Sequence, residues 1–505
     1  MAPEPPVPTT DREAALGRSR TEVLAEALSA AKVGAALLIF VAVVIVLFGV
    51  SQKPPSGRTL IRYCQWSGVR HQPVVWEIKK AFERENPDIE VKLEFYSRAY
   101  WQKLYTMIAA GVAPDVWYVS CPYMIDLARQ GSLEDMTPLI ERDGVDMDRY
   151  YRVVSDSFKW RGRQFAMSMQ FGAIALYYNR DLFDRAGLAY PNTKWSDVEG
   201  ARRMAPRPWK WADLLAAART LTKDTDGDGI VDQFGFLVTP SAETCVSAFV
   251  YENGGAFMDE KRERVTLDTD EAVGAVQFVQ DLRWKHKVAP TPESAGTQGL
   301  GAVDLFETGR IAMTYDGSWQ MDYYNRSGSL NYDVAALPSG PGGHRGMVAN
   351  GLANGLNAAS KHKEAAWKWI KFYAGISGAN DTSKADAQML LAKMKRGIPI
   401  LKSVACSEAF LNPKAEPQHE HVFLDQMVEA RDMWPAYGWN EWMGEKVGPE
   451  INILLNRGPQ AGRTVREGME KATRESNAII DRIRAEQELL DRARAGAGAG
   501  AGGGD

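Results

Sequence analysis

From Thr59 onward, the hydrophobic pattern of the chain alternates between two periods. Short runs rich in β-branched and aromatic residues, typical of buried strands, are each followed by a stretch with apolar residues three and four positions apart, typical of amphipathic helices. In chain order the segments are TLIRYCQW, VVWEIKKAFEREN, IEVKLEFY, YWQKLYTMIAAG, DVWYVSC and YMIDLARQG. This alternation predicts an α/β fold with a doubly wound parallel sheet, whose ligands bind beyond the carboxyl ends of the strands.

A second unit begins near Gly172, where AIALYYN predicts a buried strand and RDLFDRAGL predicts a helix that ends at Gly187. Further on, WADLLAAARTLT predicts another helix and FGFLV at 234–238 predicts a strand. The length of 505 residues exceeds one ordinary core, so two globular units are expected. The residues 485–505 are dominated by Ala and Gly after their first turns, and they predict a flexible tail.

The N-terminal region carries an uncharged apolar run at 33–50, about as long as a helix that crosses a bilayer. Because a polar segment, 1–32, precedes it, we interpret the run as a transmembrane anchor, although a cleaved signal remains an alternative. The basic residues of that segment place it in the cytoplasm. Residues 51–58 then form a linker to an extracytoplasmic domain held at the inner or cytoplasmic membrane.

Charge and cysteine content narrow the classes of function. The formal net charge is -4, so the chain has no basic field for nucleic acid. Four cysteines are too few for a disulfide scaffold of this size. Cys64 lies near the end of one predicted strand and Cys121 ends another that could be its parallel neighbour, so the two could pair, but we favour two free buried thiols.

The segment TKDTDGDGIVDQFGF has the spacing of a calcium loop over part of its length. Asp224, Asp226, Asp228 and Asp232 occupy four ligand positions, but the twelfth position is Gly235 and not the bidentate Glu that an EF-hand needs. The alternative is an Asx-rich turn, in which Asp side chains accept hydrogen bonds from local amides. We favour such a turn, with or without weakly bound Ca²⁺, and expect that no cofactor is required.

Seven segments occur in an order that resembles a known family. They are ENPDIEV, AAGVAPDVWYVS, YYNRDLFDRAGL, WADLLAAARTLTKDTDGDGIVDQFGF, ENGGAFMD, GRIAMTYDGSW and AASKHKEAAWKWIKFY. On these segments the chain, from Thr59 to about Arg484, resembles the family 1 extracellular solute-binding proteins of ABC importers, the group that includes maltose-binding protein. The Asp-Gly loop then corresponds to a turn between a helix and a strand of the second lobe.

The resemblance implies the type II periplasmic-binding-protein fold, in which two α/β lobes are joined by a hinge. It implies a first lobe of 59–170 and 347–396 and a second lobe of 171–346 and 397–484. Ligand held in the cleft between the lobes would favour closure of the hinge, and the closed form would be recognised by the permease subunits. The expected protein is a monomer that carries its ligand to an ABC importer.

The resemblance also implies a carbohydrate ligand, and the residue types at the implied cleft suit one. Aromatic rings contact the apolar faces of a sugar, and carboxylates and amides bind its hydroxyls. The residues expected to bind ligand are Trp66, Tyr123, Gln170, Glu243, Asp316, Gly317, Trp319, Asn350, Trp439 and Trp442. With several aromatic residues available, an oligosaccharide is favoured over a monosaccharide.

Other classes of protein fit the residues less well. A glycoside hydrolase needs an acid and a base at a fixed separation, and no spacing singles out Glu243 and Asp316 for those roles. The pair His419 and His421 lacks further ligands at zinc spacing. We therefore expect a binding protein without catalytic residues. A membrane-tethered sugar sensor remains an alternative, because the apparent anchor would serve transport and sensing equally.

Overall fold

The structure is a computed structural model that describes residues 57–66, 68, 72–97, 99–193, 207–239, 241–295, 301–376, 386–432 and 436–500. The apolar run at 33–50, the segment before it and most of the linker lie outside these residues. None of the helices within these ranges combines the length and hydropathy needed to cross a bilayer.

Eleven strands are defined within the described ranges. They are β1 Thr59–Trp66, β2 Ile89–Tyr96, β3 Val116–Ser120, β4 Lys159–Trp160, β5 Arg163–Gln164, β6 Ala166–Asn179, β7 Met313–Gly317, β8 Tyr332–Ala335, β9 Met347–Leu356, β10 Ile398–Pro399 and β11 Ala430–Asp432.

The α-helices are interspersed with these strands along the whole described chain. They are α1 Gln72–Glu85, α2 Tyr100–Ala109, α3 Cys121–Arg129, α4 Thr137–Arg142, α5 Arg152–Ser155, α6 Arg180–Ala186, α7 Trp211–Leu221, α8 Ser247–Glu252, α9 Asp270–Trp284, α10 Pro292–Ala295, α11 Ala302–Glu307, α12 Met321–Ser327, α13 Lys363–Tyr373, α14 Asp386–Lys393, α15 Lys402–Ala405, α16 His421–Asp425, α17 Trp439–Trp442, α18 Gly448–Arg457 and α19 Val465–Gly500.

The first sheet confirms the predicted α/β alternation. Strand β1 pairs in parallel with β2 on one side and with β3 on the other. The sheet continues with antiparallel pairing through β9, β6 and β10, so that its order is β2, β1, β3, β9, β6, β10. Strands β1 and β2 have the bounds that the sequence predicts, and α1 and α2 cover the connections between strands. We call the unit built around β1, β2 and β3 the first lobe.

Two long strands, β6 and β9, connect this unit to a second one. Residues Ala166 to Ala173 of β6 pair with β9, whereas Ile174 to Asn179 pair with β7 and β8. All fourteen residues of β6 are buried, as expected for a strand that is covered on both faces along its whole length. We call the unit built around β7 and β8 the second lobe. The protein therefore has the α/β fold of periplasmic binding proteins, with two sheets that share their longest strand.

Local sequence explains where several helices begin and end. The side chain of Asn179, the last residue of β6, accepts a hydrogen bond from the Leu182 amide and caps the N-terminus of α6. The same helix ends before Gly187, whose φ of 66° lies in the left-handed region that favours glycine. Thr269 caps α9 in the same way as Asn179 caps α6. Of these signals, the sequence analysis used Gly187 to predict the end of α6.

Two predictions of local structure differ from what the structure contains. The segment FGFLV forms isolated bridges at Phe234 and Leu237 instead of a continuous strand. The predicted flexible tail is helical through Gly500, because α19 extends through the Ala, Leu, Glu and Arg residues that follow Ala485. Asp491 of this helix contacts the Arg161 guanidinium of the β4–β5 hairpin at 2.6 Å, so the extension is also held by a tertiary contact.

The cysteines bear out the interpretation that we favoured. Cys64 and Cys121 are buried free thiols, as is Cys245, and Cys406 is an exposed free thiol. Burial raises the pKa of Cys64 to about 12, so this thiol is uncharged at neutral pH.

Candidate ligand-binding cleft

The strands shared by the two lobes bring together three of the expected ligand-binding residues, Gly317, Trp319 and Asn350. The indole of Trp319, in the 3₁₀ turn after β7, lies against the backbone of β6. A Cβ added to Gly172 would lie 2.5 Å from Cζ3 of Trp319, and one added to Gly317 would lie 2.3 Å from its Cη2. Only glycine at both positions allows the ring to approach so closely. Trp319 is half-buried, which leaves part of its ring exposed.

Asn350 of β9 lies next to this ring. A Cβ at Gly172 would be 3.9 Å from Cβ of Asn350, since the two residues are register partners in the β6–β9 pair. Oδ1 of Asn350 accepts a hydrogen bond of 3.3 Å from Oγ of Ser120, which ends β3. Asn350 and Trp319 therefore come together from different lobes at the point where the chain crosses between them.

Asp316 is the carboxylate closest in sequence to this group. Its Oδ1 accepts a hydrogen bond from the Gly317 amide at 2.8 Å, and its Oδ2 accepts one from the Tyr324 hydroxyl at 3.0 Å. Burial raises the pKa of Asp316 to about 6, although these two donors favour the charged form. A carboxylate can accept about four hydrogen bonds, so further lone pairs remain for ligand hydroxyls.

The first lobe contributes a stacked aromatic pair. The rings of Tyr123 in α3 and Trp101 in α2 are nearly parallel, at an angle of 13° with 3.7 Å between their centroids. Both helices follow the carboxyl ends of strands, at the edge where α/β sheets bind ligands. Trp101 is itself 6.1 Å from the ring of Tyr118 in β3, so the three rings form a row. We call Tyr118, Trp101 and Tyr123 the aromatic row.

Glu243 of the second lobe lies close enough to the Tyr123 end of this row for its charge to act on that phenol. It lies in a π-helical turn, Ala242–Val246, before α8. Burial, and then the charge of Glu243, raise the pKa of Tyr123, so the carboxylate of one lobe acts on the phenol of the other. Burial also raises the pKa of Glu243 itself. An aromatic face and a carboxylate are thus combined across the two lobes.

The remaining expected residues occupy different environments. Trp66 ends β1 and is 44% exposed, so its ring is available to a ligand at the strand edge. Gln170 is buried, and its Nε2 would be 2.8 Å from a Cβ at Gly397, so its amide packs against the β10 connection. The Gly317 amide donates a hydrogen bond to Asp316, and the absence of a side chain at Gly317 leaves room for the Trp319 ring.

Trp439 and Trp442 differ from the expectation. They are 1% and 0% exposed, their rings pack edge to face at 4.8 Å, and α17 packs against α3 and α19. A ring without an exposed face cannot stack on a sugar, so these two residues stabilise the packing of the C-terminal helices. The sequence shows that aromatic residues occur in α17, but it does not show whether they lie on the buried or the exposed face of that helix.

The Asp-Gly loop has the hydrogen bonds of an Asx-rich turn. The carboxylate of Asp224 accepts hydrogen bonds from the amides of Gly227 and Gly229, both at 2.7 Å, and these amides lower its pKa. Asp224, Asp226 and Asp232 each offer a carboxylate oxygen within 4.8 Å of the others, whereas Asp228 is not in this group. The three carboxylates could hold a cation while they also cap the turn.

The sequence analysis did not name four residues that support the expected ones or lie at the crossing between the lobes, Trp101, Tyr118, Tyr324 and Arg396. Trp101 lies at the start of α2, the helix after the carboxyl end of β2, so the rule that ligands bind at strand ends could have included it. Tyr118 lies inside a strand that reads as buried, and Tyr324 depends on the packing of α12. Arg396 precedes the crossing at β10, and nothing in the sequence distinguishes it from neighbouring basic residues.

Comparison with known proteins identifies the family. A family model for bacterial extracellular solute-binding proteins matches residues 70–379. The chain belongs to this family. The segments on which the resemblance was based lie within the match or next to it, and membership makes this an extracytoplasmic solute-binding protein.

Individual proteins similar to this chain cover about two thirds of it by sequence, and one solved structure covers more of it. A Brucella abortus protein, named only as a binding protein, is 27% identical over 65% of this chain and 74% of its own length. The arabinooligosaccharide-binding protein of Bacillus subtilis is 23% identical over 68% of this chain and 76% of its own. An ABC substrate-binding protein of Listeria monocytogenes, solved in complex with cycloalternan, superposes with a TM-score of 0.71 at 25% identity and covers 83% of this chain and 98% of its own.

Proposed function

We propose that this solute-binding protein binds a carbohydrate, an oligosaccharide rather than a monosaccharide, in the cleft between its lobes and delivers it to an ABC permease. The observation that carries the proposal is the combination of half-buried aromatic rings from both lobes with two carboxylates of the second lobe. Tyr123, which stacks on Trp101 in the first lobe, lies within reach of the Glu243 charge, and Trp319 and Asp316 lie at the crossing strands.

This combination suits the chemistry of sugars. A pyranose has an apolar face of C–H groups, which an aromatic ring covers, and a rim of hydroxyls, which carboxylates and amides bind. The half-buried rings of Trp101, Tyr123 and Trp319 together offer more aromatic surface than one sugar unit requires, whereas Tyr118 is only 8% exposed and supports the row from the core. Two of the similar proteins support the same ligand class by their names, since one binds arabinooligosaccharides and another was solved with cycloalternan.

Hinge closure follows from where the contacts lie. A ligand that contacts Tyr123 and Glu243 together gains both interactions only when the lobes are close, so it favours the closed state. We propose that β6, β9 and β10 act as the hinge, because these strands connect the lobes. The closed surface would then be recognised by the permease. The apolar run at 33–50 would anchor the protein beside that permease and raise its effective concentration.

The proposal is tested by titrating the full-length protein, purified in mild detergent, with a panel of mono- and oligosaccharides while tryptophan fluorescence is recorded. We expect a saturable change with one class of oligosaccharide and no turnover of that sugar. Trp319→Phe should weaken binding, because it removes the larger ring at the crossing. Trp284→Phe is the matched control, since that indole bonds the Leu455 carbonyl at the end of α9, away from the cleft.

The other outcomes are informative. No response to any sugar would contradict the carbohydrate assignment and would direct attention to other solutes. Slow cleavage of a bound sugar would instead favour a hydrolase in which Glu243 and Asp316 act as acid and base.

We further propose that carbohydrate binding requires no metal and that the Asp-Gly loop serves as a turn of the second lobe. Saturating Ca²⁺ should raise the thermal midpoint only slightly and leave the sugar affinity unchanged. A calcium-dependent affinity, abolished by Asp224→Asn, would contradict this proposal.

A further inference from the structure

One buried cation in the first lobe has no hydrogen-bond or ion-pair partner among the described residues. Arg396 is 9% exposed and directly precedes β10, at the crossing between the lobes. Within the described ranges, no group accepts a hydrogen bond from its guanidinium or forms an ion pair with it. Burial lowers the pKa of Arg396 to about 10, which still leaves the side chain charged at neutral pH.

The other buried cations of the described chain each have at least one hydrogen-bond partner. The preceding residue, Lys395, is equally buried, yet it forms an ion pair of 2.5 Å with Glu420. Arg283 is also 9% exposed and donates to the Leu455 carbonyl at 2.9 Å and to Asn456 at 2.6 Å. Since buried charges are normally paired, the unpaired state of Arg396 indicates that its partner comes from outside the chain.

The surroundings of Arg396 place its charge between the lobes. Burial raises the pKa values of Tyr118 and Tyr373 in the first lobe, and the Arg396 charge opposes both increases. From the second lobe, Asp322 and Arg326 of α12 act on Arg396. These two already form an ion pair of 2.8 Å with each other, so Asp322 does not neutralise Arg396.

The Arg396 guanidinium itself supplies the donors that an oxyanion needs. It carries five N–H groups in a planar fork, which can bind two oxygens of one anionic group. The Tyr373 hydroxyl is not a second donor for a ligand, because Tyr373 is fully buried and interacts with the side chains of Gln65 and Tyr63. Against the effect of burial, the Arg396 charge lowers the pKa of Tyr118, the first ring of the aromatic row, whereas the Glu243 charge adds to burial and raises the pKa of Tyr123, the last ring. The cleft is therefore positively charged at one end of the row and negatively charged at the other.

We infer that the ligand is an acidic carbohydrate, whose anionic group binds Arg396 while its neutral hydroxyls reach Glu243 and Asp316. This inference rests on the proposed function, because it specifies the class of sugar that the same cleft binds. A carboxylate of a uronic acid matches the planar guanidinium through two parallel hydrogen bonds. A sulfate or phosphate ester offers the same oxygen pair, so the anionic group is distinguished by experiment.

The test uses matched sugars that differ only in charge. The full-length protein is titrated calorimetrically with galacturonate and galactose oligomers of equal length, with glucuronate and glucose oligomers, and with sulfated and phosphorylated forms of the neutral sugars. We expect one acidic sugar to bind at least about tenfold tighter than its neutral counterpart, as hydrogen bonds to a charged group predict. Which anionic form binds tightest identifies the group.

Two variants assign the preference to this residue. Arg396→Gln should remove the preference for the acidic sugar and change the affinity for the neutral one by less than about threefold. Arg163→Gln removes the same charge from an arginine that is 65% exposed on β5, and it should leave the preference intact. Because the Arg396 charge is uncompensated in the free protein, Arg396→Gln should not lower the thermal midpoint, which checks that the variant folds.

The results separate this inference from the proposed function. A neutral oligosaccharide that binds as tightly as its acidic counterpart would overturn the inference and leave carbohydrate binding standing. An acidic preference that survives in Arg396→Gln would overturn the role of this residue. Binding of neither kind of sugar would overturn the inference together with the proposed function.

Discussion

The raised pKa of Asp316 predicts that ligand affinity depends on pH in an unusual range for an aspartate. With a pKa of about 6 in the free protein, the carboxylate is about 90% ionised at pH 7 and about 10% ionised at pH 5. Ligand hydroxyls that donate to Asp316 favour its ionised form, so binding requires the carboxylate. The dissociation constant should therefore rise about tenfold, or about 1.4 kcal/mol, between pH 7 and pH 5.

Stability should move in the opposite direction from affinity. Because burial raises the pKa of Asp316, the folded protein is destabilised by its charge above pH 6, and that cost disappears as the carboxyl protonates. The same sign holds for Glu420, whose pKa burial raises to about 7 despite the pairing with Lys395. A falling affinity with an unchanged or higher thermal midpoint would thus report on the site and not on unfolding.

The measurement is calorimetric titration of the best-binding sugar at half-unit intervals from pH 5 to pH 8. Asp316→Asn should weaken binding about tenfold or more at pH 7, because it removes a charged acceptor, and should abolish the step near pH 6. Glu243→Gln serves as the control for the other cleft carboxylate and should keep that step. A dissociation constant that is constant from pH 5 to pH 7, or a step that persists in Asp316→Asn, would refute the reasoning.

Three further predictions concern single side chains. Gly172→Ala should lower the free energy of unfolding by about 1–3 kcal/mol, because the added Cβ would lie 2.5 Å from the Trp319 ring. The displaced ring should also bind sugar more weakly, and a wild-type affinity in this variant would contradict the close packing of Trp319 on Gly172. Glu252→Ala should lower the free energy of unfolding in urea by about 2–4 kcal/mol, because it leaves the buried Trp211 indole, which donates to the carboxylate at 2.6 Å, without an acceptor. Glu252→Gln should lower it by less than half as much, and equal losses for the two variants would count against this account. Trp101→Ala should lower sugar affinity about three- to tenfold with little change in the unfolding midpoint, and a fully retained affinity would remove the aromatic row from the site.

Local sequence was sufficient where the physical cause is local. The periodicity of hydrophobic positions predicted β1 and β2 with their observed bounds, and the Gly187 stop predicted the end of α6. The extension of α19 beyond Ala485 was missed because the Gly content of the last residues outweighed the helix-forming residues before them, and the contact between Asp491 and Arg161 joins positions far apart in the chain.

Most of the residue types of the cleft could also be predicted, but not their environments. Trp319, Asp316, Asn350 and Tyr123 were expected, and the structure gives each a contact or charge that reaches the crossing or the opposite lobe. Trp442 was expected beside them and is buried instead. Aromatic residues have the same appearance in a sequence whether they pack a core or bind a ligand, because burial depends on which helices come together.

The sequence by itself determined the order of strands and helices, the family and the classes of side chain available for a ligand. Only the tertiary structure decided that β6 changes partners between Ala173 and Ile174 and that burial raises the pKa of Asp316 to about 6. It also decided that Arg396 is buried with no hydrogen-bond or ion-pair partner in the part of the chain that the structure describes. The desolvation of a charged side chain and its pairing with other groups depend on residues that lie far apart in the chain, so the local pattern of residues does not predict them.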